Sequence, residues 1–152
     1  NLRNPRLHQM IGLENGDGLR SCLQHPDYWK QVVRSTGYAN LSVLTAGRAA
    51  AGRAVGRGAE EFAFAETDSL LEQLKAAYDV VLIDVPAAIY VDPYYLAPCC
   101  DGVLLVVLAG RTKRAAVKKA QVQLRNAGAR MIGALLNRAS GKQPAVTVGV
   151  IG

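Results

Sequence analysis

Three features that define other protein classes are missing from this sequence. No apolar run approaches the ~20 residues that a helix needs to span a bilayer. There are only three cysteines, and Cys99 and Cys100 are adjacent, so we expect reduced thiols in a cytoplasmic protein rather than a disulfide framework. No second Cys/His pair has the spacing of zinc ligands, which argues against a structural metal site.

Aromatic residues are also scarce, at 6% of the chain, although the net charge is +6. Single-stranded nucleic acids are bound by stacking on aromatic side chains, so we expect no nucleic acid partner. One basic cluster lies at the start of a late predicted helix and contains Arg111, Lys113, Arg114, Lys118 and Lys119. Two interpretations stay open for it: a solvated helix face, or contact with a nucleotide phosphate, an acidic protein face or anionic lipid.

What the chain does contain is enough apolar material for a core. Half of its 152 residues are hydrophobic, and a chain of this length can bury about 68–70% of its extended surface. We therefore predict one domain over residues 1–139 and a flexible tail over residues 140–152.

The most informative segment is 79–86, with the sequence Asp-Val-Val-Leu-Ile-Asp-Val-Pro. Four apolar residues without alternation predict a strand buried on both faces, as in the centre of a parallel sheet. The run ends on Asp84, and ligands of open α/β sheets bind beyond the carboxyl ends of the strands. Asp84 is therefore either a carboxylate that acts on a bound metal-phosphate or an ordinary N-cap or loop acid.

Strand-like and helix-like segments alternate around this run. Further strands are predicted at Leu41–Thr45, Gly102–Ala109 and Met131–Leu136. One helix is predicted to start at a capping box of Ser69 and Glu72, and a second to run from about residue 112 to 126 and stop at Gly128. This alternation predicts an α/β fold with neighbouring parallel strands.

The order of these motifs resembles that of bacterial polysaccharide-biosynthesis tyrosine kinases, which are P-loop NTPases of the MinD/ParA group. Asn1-Leu-Arg-Asn-Pro5 resembles the family's modified second Walker motif, with Arg3 at the arginine position and Asn1 where an aspartate usually stands. Leu82-Ile-Asp-Val-Pro86 resembles the Walker B strand. The segment from Thr112 to Asn137 resembles the helix and strand that follow.

The resemblance implies a three-layer P-loop NTPase-like sandwich with a mainly parallel sheet. It implies ATP and Mg²⁺ as cofactors, with Asp84 as the magnesium-associated catalytic acid and Asn137 lying against the base. Arg3 and the cluster around Arg111 and Lys113 are further candidates for contact with nucleotide phosphates or a neighbouring subunit.

Two departures from the family pattern accompany the resemblance. The sequence contains no Gly-x-x-x-x-Gly-Lys-[Ser/Thr], the loop whose backbone N–H groups cradle phosphates. We therefore expect an N-terminally truncated chain, with the first strand, P-loop, first helix and second strand upstream. Residues 140–152 contain no tyrosine, so a tyrosine cluster for autophosphorylation is not predicted there.

The implied function is ATP-dependent regulation of capsule or exopolysaccharide biosynthesis by a tyrosine autokinase. Its implied partners are a membrane-anchored polysaccharide co-polymerase-type activator and other copies of the chain. The implied location is the cytoplasm, attached to the inner membrane through a partner or a fused membrane domain. Two alternatives stay open: a partition or positioning ATPase of the MinD/ParA type, and a non-catalytic interaction module with a degenerate nucleotide site.

Overall fold

The computed structural model describes residues 1–48 and 64–139. The chain divides into two compact units, residues 1–86 and 87–152, and each is described by itself. The predicted tail of residues 140–152 lies outside the described residues. So do residues 49–63, which contain most of a glycine- and arginine-rich segment.

Short helices and one longer helix build the first unit. In chain order its elements are α1 (Leu7–Met10), α2 (Leu19–Cys22), a 3-10 turn (Pro26–Tyr28), α3 (Trp29–Val32), β1 (Arg34–Ser35), β2 (Ser42–Val43) and α4 (Phe64–Ala77). β1 and β2 pair antiparallel, with Arg34 opposite Val43. Proline at the start of the 3-10 turn fits because its missing N–H would have no partner there.

The core of this unit forms where these helices meet. Its buried residues are Leu2, Cys22, Leu23, Trp29, Val32 and Leu70. The indole Nε1 of Trp29 donates a hydrogen bond of 2.9 Å to Gln73 Oε1, so the polar edge of the ring is satisfied while its body is buried. The ring of Tyr78 lies 6.0 Å from that of Trp29, at an interplanar angle of 58°. α4 is thereby fixed on the helices that precede it.

Burial also controls the chemistry of one thiol. Cys22 is fully buried in this core, and loss of solvation raises the pKa of its thiol to about 11, with a smaller opposing effect from a backbone hydrogen bond. A thiol needs its thiolate form to react. Cys22 is therefore a small core residue rather than a nucleophile.

Two loops of the first unit are bound closely together. The backbone N–H of Leu19 donates to the Thr45 carbonyl at 2.8 Å, and that of Arg48 donates to the Gly16 carbonyl at 2.9 Å. Asn15 Oδ1 accepts a hydrogen bond of 2.9 Å from the Gly47 N–H. Gly47 has a φ of 78°, a left-handed conformation that glycine adopts at little cost. We call residues 15–18 and 45–47 the paired loops.

The second unit is a strand–helix–strand unit preceded by short helices. Its elements are α5 (Asp92–Leu96), a 3-10 turn (Ala97–Cys99), β3 (Val103–Leu108), α6 (Arg114–Asn126) and β4 (Met131–Asn137). β3 and β4 pair in parallel, with Leu104 opposite Gly133 and Leu108 opposite Asn137. A helical crossover permits this parallel pairing. The pairing confirms the predicted alternation of strand, helix and strand for this part of the chain.

α6 packs on one side of this two-stranded sheet. Buried Ala97, Leu124 and Ala129 contact Val103, Leu105 and Met131. On the alternate positions of β3, Leu104 and Val106 are 50% and 57% exposed. Gly128 follows the helix with a φ of 89°, and the Ala129 N–H closes the end on the Leu124 carbonyl at 2.9 Å. The predicted glycine stop is confirmed.

The prediction of four neighbouring parallel strands is wrong. Residues 79–86 form neither strand nor helix, and the side chains of Val80 and Leu82 are 72% and 90% exposed. The Leu41 run contributes only the two-residue strand β2, which pairs antiparallel. An apolar run indicates that side chains favour burial, but a strand also needs a neighbouring strand to bond with, and no described strand pairs with residues 79–86.

The predicted capping box is also wrong. α4 spans Phe64–Ala77, so Ser69 lies inside the helix rather than at its first residue. The segment Phe64-Ala-Glu-Thr67 contains no glycine or proline that would stop a helix from extending past Ser69.

Candidate functional site

The predicted catalytic acid lies at the end of the apolar segment in the first unit. The Asp84 side chain is 61% exposed, so it is accessible to a ligand. The backbone nitrogen of Asn1 lies 2.6 Å from the Asp84 carbonyl oxygen. The same nitrogen lies 3.9 Å from Asp84 Oδ2. The structure therefore brings the start of the Asn1–Arg3 motif next to Asp84.

The Asn1–Arg3 motif is held in place by its middle residue. The Leu2 side chain is 3% exposed and belongs to the core of the first unit. Its carbonyl oxygen accepts a hydrogen bond of 2.6 Å from Arg20 Nη2, while Arg20 Nη1 donates to the Gly47 carbonyl at 2.8 Å. Arg3 is half-buried. A buried leucine between two polar neighbours thus fixes where Asn1 and Arg3 leave the core.

The predicted base-reading residue lies in the second unit. Asn137 is the last residue of β4, and its side chain is exposed. Its Oδ1 accepts a hydrogen bond of 2.9 Å from the Arg138 N–H, and Arg138 has a φ of 56°. The amide nitrogen of Asn137 is a separate donor that this hydrogen bond does not use.

A basic loop lies beside Asn137, at the carboxyl end of the parallel pair. The Ala109 N–H donates to the Asn137 carbonyl at 2.9 Å, and Thr112 Oγ1 accepts a hydrogen bond of 3.2 Å from the Leu108 N–H. The intervening Arg111 is exposed, as is Lys113. Ligands of open α/β sheets bind at this edge, so two cations and an amide are brought together where a nucleotide would be expected.

These residues fit a role toward Mg²⁺ better than they fit the binding of the phosphate chain. Mg²⁺ prefers oxygen ligands and keeps several of its waters, so one accessible carboxylate such as Asp84 fits a water-mediated role. In residues 1–48 and 64–139 no group of three His, Cys, Asp or Glu side chains is placed to hold a metal by itself. The glycine-rich phosphate cradle is missing from the sequence, so the chain's own residues fit only part of a Mg-ATP site.

One acid near the start of the second unit was not predicted as a site residue. Asp92 is 1% exposed, and it is the only charged side chain that is buried in the part of the chain that the structure describes. It begins α5 and is followed directly by Pro93. An aspartate before a proline at a helix start is the sequence signal that marks this position, but that signal does not distinguish a buried acid from an exposed one.

Helices long and apolar enough to cross a bilayer are not found among residues 1–48 and 64–139.

Comparison with known proteins identifies relatives, although no protein-family model matches the chain. The tyrosine-protein kinase YwqD of Bacillus subtilis is 31% identical over 137 residues, which cover 90% of this chain and 56% of the relative. The succinoglycan biosynthesis transport protein ExoP of Rhizobium meliloti is 30% identical over 138 residues, which cover 90% of this chain and 17% of that protein.

Solved structures give the same result. The kinase domain of the Escherichia coli tyrosine kinase ETK superposes with a TM-score of 0.79 at 25% identity, covering 97% of this chain and 58% of that domain. This chain thus spans little more than half the length of YwqD and of the ETK domain. The predicted resemblance is confirmed: the chain is a homologue of the bacterial tyrosine kinases and shares the α/β fold, with a parallel sheet, of their kinase domains.

Proposed function

We propose that the whole protein containing this chain is a tyrosine autokinase that uses Mg-ATP and regulates capsule or exopolysaccharide biosynthesis. The observation that carries the proposal is homology to tyrosine kinases along 90% of the chain. Asp84 and Asn137 each follow an apolar segment, as expected of residues at such a site. ExoP, a relative named for succinoglycan biosynthesis, links the proposal to polysaccharide export.

In this proposal Mg-ATP supplies the transferred phosphoryl group, and the protein contributes positioning and charge. The exposed carboxylate of Asp84 would hold Mg²⁺ through a water molecule. The amide of Asn137 would donate to the base. Arg111 and Lys113, at the carboxyl end of β3 and β4, add positive charge where phosphate charge develops.

The missing cradle gives a first test. Because the 152 residues contain no Gly-x-x-x-x-Gly-Lys-[Ser/Thr], we expect them alone to bind ATP weakly or not at all. Titration calorimetry with ATP and MgCl₂ should show no saturable heat at nucleotide concentrations up to about 1 mM. Tight magnesium-dependent binding by these residues alone would contradict the proposed division of the site between this chain and a separate P-loop segment.

A second test concerns the choice of base. Replacing Asn137 with alanine removes the amide donor while leaving Asp84 unchanged. In the whole protein we expect the preference for ATP over GTP to fall by about tenfold, the equivalent of one hydrogen bond, with a smaller change in kcat. The measurement is steady-state kinetics with both nucleotides. Asn126→Ala, which changes an exposed asparagine near the end of α6, is the matched control and should leave the preference intact.

The reaction product separates the proposal from its alternatives. Incubation of the whole protein with γ-labelled ATP should place label on tyrosine, and its extent should depend on a membrane-anchored polysaccharide co-polymerase-type activator. ATP hydrolysis without phosphotyrosine would indicate a positioning ATPase of the MinD/ParA type. Absence of both activities would indicate a non-catalytic module. The proposed setting is the cytoplasmic side of the inner membrane.

A further inference from the structure

The charge of the chain is distributed very unevenly. Residues 102–152 contain no Asp or Glu, yet they hold nine of the chain's 18 Lys and Arg residues. Much of this charge lies on α6, which carries Arg114, Lys118, Lys119 and Arg125. A solvated helix usually mixes both signs, because Glu–Lys pairs at i, i+4 stabilise it. α6 has cations and no acid.

The cations of α6 fall on one face together with apolar residues. Ala115, Lys118, Lys119, Val122 and Arg125 follow the spacing i, i+3, i+4, i+7 and i+10 and are all exposed. We call this set the basic face. The opposite side carries Leu124, which is 2% exposed and packs on the β3–β4 sheet. The basic face is therefore presented outward by a helix whose other side is fixed.

Nothing in the described part of the chain neutralises this face. Among residues 1–48 and 64–139, none of the four cations of α6 makes an ion pair. The first turn of α6 also carries Arg114 and no acid, although the helix macrodipole favours negative charge there. Helix stability therefore does not account for this arrangement.

We propose that the basic face of α6 docks on an anionic lipid surface. Juxtamembrane cations are attracted to such a surface, and an amphipathic helix gains further from a small apolar residue at the headgroup level. Val122 provides that residue, being 55% exposed between Lys119 and Arg125. Residues 102–152 contain no aromatic side chain, so the stacking contacts that bind single-stranded nucleic acid are missing. The docking does not depend on the proposed kinase activity.

The test is flotation of the full chain with two kinds of vesicle, phosphatidylcholine alone and phosphatidylcholine with phosphatidylglycerol. We expect binding only to the anionic vesicles, weakening as NaCl rises because the charges are exposed. The variant Lys118→Gln/Lys119→Gln/Arg125→Gln should lower partitioning by about 10²-fold at low salt, since each cation contributes roughly fivefold. Glutamine is also a good helix former, so α6 should stay intact, and circular dichroism checks this.

The matched control removes the same charge elsewhere. Arg6→Gln/Lys30→Gln/Arg48→Gln changes three exposed cations of the first unit and should retain most of the binding. Val122→Ser should weaken binding to anionic vesicles without changing its salt dependence. Equal loss in the control, equal binding to neutral vesicles, or no binding to either would overturn the proposal. Tighter binding to a random DNA duplex than to anionic vesicles at the same salt would also overturn it.

Discussion

Replacing Asp84 with asparagine should reduce ATP-dependent phosphorylation by the whole protein about 10²–10³-fold. The substitution keeps the size of the side chain but removes the charge that we propose acts on the metal, and the loss of one such electrostatic contact has an effect of this order. Nucleotide affinity without magnesium should change little, because the proposed role of the carboxylate is toward the metal rather than the base. Single-turnover kinetics and nucleotide titrations with and without MgCl₂ measure both quantities.

Asp79→Asn is the matched control for this experiment. Asp79 is an exposed acid at the opposite end of the same apolar segment, so the variant loses the same charge from the same stretch of chain. It should keep near wild-type turnover. If Asp84→Asn turns over as fast as the Asp79 variant, Asp84 is an ordinary loop or capping acid and the metal role is wrong.

Replacing Gly18 with alanine should destabilise the protein by about 3 kcal/mol, at the upper end of the cost of overpacking. A Cβ on Gly18 would lie 2.6 Å from the Gly47 backbone nitrogen and closer still to the Thr45 carbonyl oxygen. Both obstacles are backbone atoms within the paired loops, so they cannot move aside as a flexible side chain would. The expected fall in Tm is roughly 6–12 °C, measured by thermal denaturation.

Gly16→Ala provides the comparison within the same loop. An added Cβ at Gly16 has no heavy atom within 4 Å, and we expect the free energy of unfolding to stay within about 0.5 kcal/mol of wild type. Both variants remove one glycine, so they restrict the unfolded chain alike. Equal stability of the two variants would show that the paired loops separate easily and do not constrain Gly18.

The sequence predicts local elements of this fold better than its sheet. Thr112–Asn126 was predicted as a helix, and α6 spans Arg114–Asn126, because helical spacing and the stop at Gly128 depend on nearby residues. The pairing of a strand depends on distant ones. Val80–Ile83 has the composition of a central strand, yet no described strand pairs with it, and composition carries no information about where a strand's hydrogen bonds go.

The candidate site also combines features that depend on nearby residues with features that depend on distant ones. Asp84 was proposed because it terminates an apolar segment, a pattern visible in the sequence, whereas Asn137 was proposed only through the resemblance to the tyrosine-kinase family, and both assignments stay predictions. The sequence did not predict that Arg20 holds the Asn1–Arg3 motif in place, because its hydrogen bonds go to the carbonyl oxygens of Leu2 and Gly47. Backbone acceptors carry no residue type, so no sequence pattern could mark that interaction. The burial of Asp92 was missed for a related reason, since packing around it depends on the folded chain.

Arg20 has one consequence for how the first unit can move. Its planar guanidinium holds two backbone segments that are distant in sequence, and the first of them ends beside Asp84. Because the guanidinium is rigid, a displacement of Gly47 is transmitted to Leu2 unless one of the two hydrogen bonds breaks. A ligand or partner that shifts the Thr45–Gly47 loop would therefore change the surroundings of the Asp84 carboxylate without touching it.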